Sequence, residues 1–110
     1  MKDECAYLAG QVAEWPAKVR LAEILVEAGL RVQVGRYSVR VLNCEHFVFQ
    51  ELGGDRGDPQ IEADALSVDE LLRDGRLVSA ALAAAGLRHR FEIYRGDEMA
   101  GYLHHDWPAG

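Results

Sequence analysis

Apolar residues recur along this chain at two spacings. Leu21, Ile24, Leu25 and Ala28 fall at helical intervals, while Lys18, Arg20, Glu23 and Glu27 fill the polar positions between them. Pro16 suits a first helical position, so the pattern predicts a helix over residues 16–28, ended by Gly29. A second helix opens at Ser67-Val68-Asp69-Glu70, a capping box in which Ser67 and Glu70 satisfy each other's orphan backbone donors, with Leu66 and Leu71 placed for a hydrophobic staple. Gly75 is a candidate break or bend ahead of the alanine-rich run 80–85, and Gly86 is the stop. Cys5, Leu8 and Val12 also sit at helical spacing, which predicts a short helix within residues 3–13 despite Gly10.

Elsewhere the period is two. Leu30, Val32 and Val34 alternate up to a turn at Gly35-Arg36; Tyr37, Val39 and Val41 follow, and a third run spans His46 to Glu51. After the second helix come Leu87, His89, Phe91 and Ile93, a turn at Arg95-Gly96-Asp97, and a run from Met99 to His104. Ile61, Ala63 and Ala65, alternating with Glu62 and Asp64, read as a short edge strand behind the Gly- and Asp-rich loop 53–59. Two helices on one face of a mainly antiparallel sheet would bury all these alternations in one core, so the expected fold is a two-layer α+β domain covering residues 1–110. Both helices exit through Ala-Gly-Leu-Arg, at 28–31 and 85–88, which raises the prospect of two related α-β-β halves, 1–52 and 60–107. A chance match of a common helix exit explains the same four residues.

Composition sets the class. A chain of 110 residues with 49% hydrophobic and 27% charged residues has the size and balance of one globular domain. No apolar run approaches the roughly 20 residues of a membrane-spanning helix, and Met1-Lys2-Asp3-Glu4 lacks the basic-then-apolar start of a secretory signal. Cys5 and Cys44 have no CxxC spacing and read as reduced thiols, which makes a cytoplasmic protein the expectation. The net charge of −6 is concentrated: from Glu51 to Glu70 there are seven acids against the single base Arg56. Those acids are either a solvated loop and helix start or a surface for a basic partner, with Glu51, Asp55, Asp58, Glu62 and Asp64 as the candidate contacts.

Side-chain direction then sorts the candidate chemistry. His104, His105 and Asp106 bring ligand and acid–base types together, but neighbours on a strand point to opposite faces, so the two histidines need a bend to share a metal. Cys44 and His46 could join them only if the third and last strands lay side by side, and the spacing is not that of a structural zinc site. No cofactor motif is present. His89 shares a face with Leu87, Phe91 and Ile93 and reads as a hydrogen-bonded core or edge histidine. The outward residues Arg31, Arg40, Arg88, Arg90 and Tyr94 would give the open sheet face arginines and an aromatic, types suited to protein interfaces and to single-stranded nucleic acid. The acidic net charge disfavours phosphate binding.

These features lead to the expectation of a small non-enzymatic regulator or inhibitor that occludes a protein partner, in the manner of bacterial immunity proteins that block a basic toxin site with acids. A small His/Asp- or metal-dependent enzyme, and a nucleic-acid binder acting through the arginine-bearing face, are the alternatives.

Overall fold

The computed structural model describes residues 5–50 and 60–107. Nine elements follow one another: β1 (Ala6–Val12), α1 (Lys18–Glu27), β2 (Val32–Val34), β3 (Ser38–Val41), β4 (His46–Gln50), β5 (Gln60–Ala65), α2 (Val68–Ala84), β6 (His89–Arg95) and β7 (Glu98–His105). The strands form one sheet in the order β2-β3-β4-β5-β1-β6-β7, with every neighbouring pair antiparallel. α1 lies over β2 and β3, α2 lies over β5, β1, β6 and β7, and the two helices touch. This is the two-layer α+β arrangement that the hydrophobic pattern implies.

The helix-covered face is built from register-matched rows. One runs Val39, Phe49, Ile61, Gly10, Phe91, Leu103 across six strands; the next runs Phe47, Ala63, Leu8, Ile93, Gly101. Phe47, Phe49 and Phe91 are fully buried, and Phe47 meets Phe91 edge to face at 5.8 Å. Each such ring contributes about 1.5–3 kcal/mol by leaving water. Gly10 makes this crowding feasible: a Cβ there would stand 2.8 Å from Phe91 Cδ1 and 3.1 Å from Arg90 O. Gly75 does the same from the helix side, since a Cβ would come within 3.0 Å of Leu103. It lies inside an uninterrupted α2, so the expected break becomes a point of close helix–sheet approach.

Several expectations change. Residues 3–13 do not form a helix: β1 occupies the middle of the sheet with both edges paired, to β5 and β6. Ala6, Leu8 and Gly10 fit a period of two as well as Cys5, Leu8 and Val12 fit a turn of helix, and two waiting partner strands decide between them. β5 is likewise central rather than an edge, between β4 and β1. Alternation reports which face of a strand is wet, but carries no information about its in-plane neighbours. α1 begins at Lys18, because Ala17 is still extended (ψ 148°), and so Pro16 precedes the cap instead of opening the helix. Ser67 Oγ accepts from the Glu70 amide at 3.2 Å, which is the N-cap half of the expected capping box. Leu66, however, is 71% exposed while Leu71 is buried, so there is no staple.

The repeated Ala-Gly-Leu-Arg exits have a local cause. At each, the glycine takes a positive φ (92° at Gly29, 77° at Gly86) and the next leucine amide reaches back to a core leucine carbonyl, Leu30 to Leu25 and Leu87 to Leu82, at 3.0 Å in both cases. This is the Schellman helix end, which asks for Gly and then an apolar residue. Beyond it the halves diverge in place: β2 lies at the sheet edge, whereas β6 pairs with central β1. From β1 the chain passes through α1 to the edge strand β2 and returns by β3 and β4 to pair β5, and from β5 it crosses through α2 over β1 to β6.

Candidate functional site

The face opposite the helices carries the outward half of every alternation. Its central row runs Arg40, Val48, Glu62, Ala9, Glu92, Tyr102 from β3 to β7. A parallel row runs His46, Asp64, Tyr7, Tyr94. Tyr7 and Tyr94 stack at 5.4 Å between ring centroids, and the Tyr94 hydroxyl donates to Glu92 Oε1 at 2.9 Å. That hydrogen bond to a carboxylate pushes the phenol above its ordinary value. On the other flank Arg90 donates to Gln11 Oε1 at 2.8 Å, pairs with Glu92 at 3.5 Å and lies 5.0 Å from the Trp107 ring. Trp107 reaches it because Asp106 turns the chain with a positive φ of 52°, a conformation Asp tolerates better than most residues.

The expected site residues distribute unevenly over this face. Glu62 and Asp64 are exposed on it; Glu51, Asp55 and Asp58 lie outside the described residues. Arg40, Arg90 and Tyr94 are on it, while Arg31 and Arg88 stand just ahead of β2 and β6. The arginines do not gather. β3 and β6 are four strand spacings apart, about 19 Å at roughly 4.8 Å each, because the two hairpins join the sheet on opposite sides of β5 and β1. Acids occupy the ground between them. Arg40 lies 3.4 Å from His46 Nδ1, whose Nε2 is 4.0 Å from Asp64 Oδ2, so this arginine belongs to a cross-strand charge network.

The candidate metal ligands are likewise dispersed. His46 and His104 occupy the open face on β4 and β7, again four spacings apart, and His105 points to the covered face, where its ring stacks 6.0 Å from His89. Cys44 is buried beside Asp74 of α2. Burial first, then the Asp74 charge, push its thiol up to about 12, which keeps it protonated and poorly nucleophilic. Among the described residues, no three His, Cys, Asp or Glu side chains form a group that could hold a metal ion.

Two polar groups lie in the core: Asp74, which sequence reasoning misses, and His89, which is the hydrogen-bonded core histidine that the alternation implies. Asp74 is buried against Cys44, and burial raises its carboxyl above the usual 3.8. His89 has no exposure: its Nδ1 lies 2.8 Å from Leu87 O, which can only accept, so Nε2 is the acceptor for the Ser79 hydroxyl at 2.7 Å. Burial lowers the imidazole below its ordinary 6.5. Only the fold brings Ser79 over β6.

Two depressions border this face. One of about 400 Å³, at the ends of β1 and β5, is lined by Tyr7, Glu45, Asp64 and Leu66 together with Cys5, Ala6 and Ala65. The other, about 220 Å³, sits over Ala9 and Gly10 between Gln11, Gln60, Arg90 and Glu92. The first joins two carboxylates to an aromatic face with no basic residue in its lining, a setting that favours a cation twice over, by charge and by the ring quadrupole. A helix over residues 3–13 would scatter Tyr7, Ala9 and Gln11; their alternation with Ala6, Leu8 and Gly10 is the sequence signal that places them together on the open face. No family model, curated protein or solved structure matches the chain.

Proposed function

We propose that this chain is a small non-enzymatic protein-binding regulator, an inhibitor of the immunity type, that occludes a basic site on a partner protein with its open sheet face. The observation that carries the reading is the depression in which Tyr7 lies with Glu45 and Asp64. A partner arginine or lysine entering there would meet two carboxylates and a ring already held in place by stacking on Tyr94. The Arg90–Trp107 pair on the opposite flank adds the residue types that dominate interface energetics. Glu62 and Glu92, on either side of Ala9, extend the acidic field across the centre. The same acids make the face a poor surface for phosphate chains, which weighs against the nucleic-acid alternative. Two free thiols fit a cytoplasmic setting.

The test is comparative capture from the native cell by quantitative mass spectrometry, using tagged wild-type chain, Asp64→Lys and Tyr7→Ala/Tyr94→Ala. The expected outcome is a partner of basic surface that the wild type retains and both variants lose by about tenfold or more, with binding that weakens as salt rises. Partners retained equally by all three proteins, or none retained by the wild type, would overturn the reading.

A further inference from the structure

The two edges of the sheet are finished differently. β7 carries a bulge where Ile93 faces Gly101 and Tyr94 faces Met99, and the left-handed Asp106 turns the chain away at its end. Both devices discourage a further strand. β2 has neither. Its register leaves no doubt about which backbone groups are spoken for: Arg31 O accepts from Leu42 N, Gln33 lies opposite Arg40, and Gly35 N donates to Ser38 O. The odd-numbered residues therefore face β3, and the N–H and C=O groups of Val32 and Val34 point outward along the edge. Among the described residues, β2 pairs with β3 alone, so these groups have no strand partner.

α1 overhangs this edge and leaves a groove beside it. A cavity of about 550 Å³ is lined by Val19, Ala22 and Val26 of α1 and by Val34 of β2, with Glu23 and Glu27 at its rim. Val19 and Val26 are 67% and 54% exposed, a costly arrangement for two valines three and four positions from their apolar neighbours on one helix face. The groove is held in shape at one end, where Lys18 Nζ donates to Gly35 O at 2.7 Å and Arg36 O at 2.6 Å, tying the β2–β3 turn to the first turn of α1. Arg20 is shared by Glu23 at 3.3 Å and Glu27 at 3.8 Å, so the rim keeps one surplus negative charge.

We propose that the β2–α1 groove is a second binding site, independent of the open face, which takes an extended peptide segment of a partner by strand addition. The segment would pair with the outward groups of Val32 and Val34. Its alternate residues would be apolar and enter beneath Val19 and Val26, and a lysine or arginine would meet the Glu23–Glu27 rim. Backbone pairing supplies the affinity and the groove supplies the side-chain preference.

The experiment uses the full ¹⁵N-labelled chain and a synthetic capped peptide of alternating valine and lysine. A block-ordered peptide of the same composition and an alternating peptide N-methylated at every second residue serve as comparisons. The expected result is saturable shifts of the Val32 and Val34 amides with the alternating peptide, weaker by about tenfold or more with either comparison peptide and with Val26→Asp chain. Tyr7→Ala/Tyr94→Ala should bind it like the wild type, which separates this site from the open face. Equal binding of all three peptides, absence of Val32 and Val34 shifts at millimolar peptide, or concentration-dependent dimerisation that itself protects these amides would overturn the proposal, the last by making a second copy of the chain the occupant.

Discussion

The same strands present two faces that solve opposite problems. On the covered side, Gly10 separates Ile61 from Phe91, and Ala63 lies between Phe47 and Leu8, so that large and small residues interdigitate under α2. On the open side, the residues one position along (Ala9, Glu62, Glu92, Tyr7, Tyr94) make pairs and stacks with each other and with water. The difference teaches where each kind of energy resides. Burial and shape hold the fold together chiefly from one face; on the other, Val48 alone of the central row is buried, and the rest carries charge and aromatic surface. The covered face still holds two polar exceptions, Asp74 and His89, and these are where its logic can be probed most finely.

The comparison breaks most visibly at Phe47. Phe47→Ala empties a fully buried site and should cost about 3–5 kcal/mol in urea unfolding, whereas Tyr7→Ala on the open face should cost under about 1 kcal/mol. Similar losses at both positions would mean that the open face is part of the core. Gly10→Ala should come next, at about 1–3 kcal/mol, because the added methyl meets Phe91 and a carbonyl of the neighbouring strand. Circular dichroism melts of Gly10→Ala beside Ala9→Gly would show whether close approach at the strand centre is confined to the covered side.

Ser79→Ala leaves Nε2 of a fully buried imidazole without its donor and should destabilise by about 1–2 kcal/mol near neutral pH. The histidine also sets a pH dependence. Its folded value is depressed, so the unfolded chain binds the extra proton first: stability is fully present above the ordinary 6.5 and is lost as pH falls from there through the folded value. Urea titrations between pH 5 and 8 should show that decline, and His89→Gln should flatten it.

Asp74 runs the other way. Its folded value is raised, so the folded chain holds the proton more tightly; stability is fully present below 3.8 and is lost as pH rises through the folded value. Asp74→Asn should therefore stabilise the neutral protein, by up to about 1 kcal/mol, and have the opposite effect or none in acid. A destabilising outcome at neutral pH would show that the carboxylate's contacts with Cys44 and Arg73 outweigh the cost of its burial.

Much of this architecture is legible one residue at a time. The helical period of Leu21, Ile24 and Leu25, the Ser67 cap, the glycine exits at 29 and 86 and the alternation in β3, β5 and β6 are local matters, decided by sterics and by which side of an element sheds water. They specify two helices over a sheet, and they correctly send His104 and His105 apart. What the tertiary structure alone decides is adjacency. Whether residues 6–12 coil or extend depends on β5 and β6, whose paired residues are more than fifty positions away in the chain; the placing of Tyr7 beside Tyr94 and Asp64, of Ser79 over His89, and of Cys44 under Asp74 is likewise decided by packing. Strand pairing and helix docking are satisfied between distant segments, and a period along the chain records the face a residue turns toward the core without recording whom it will meet there.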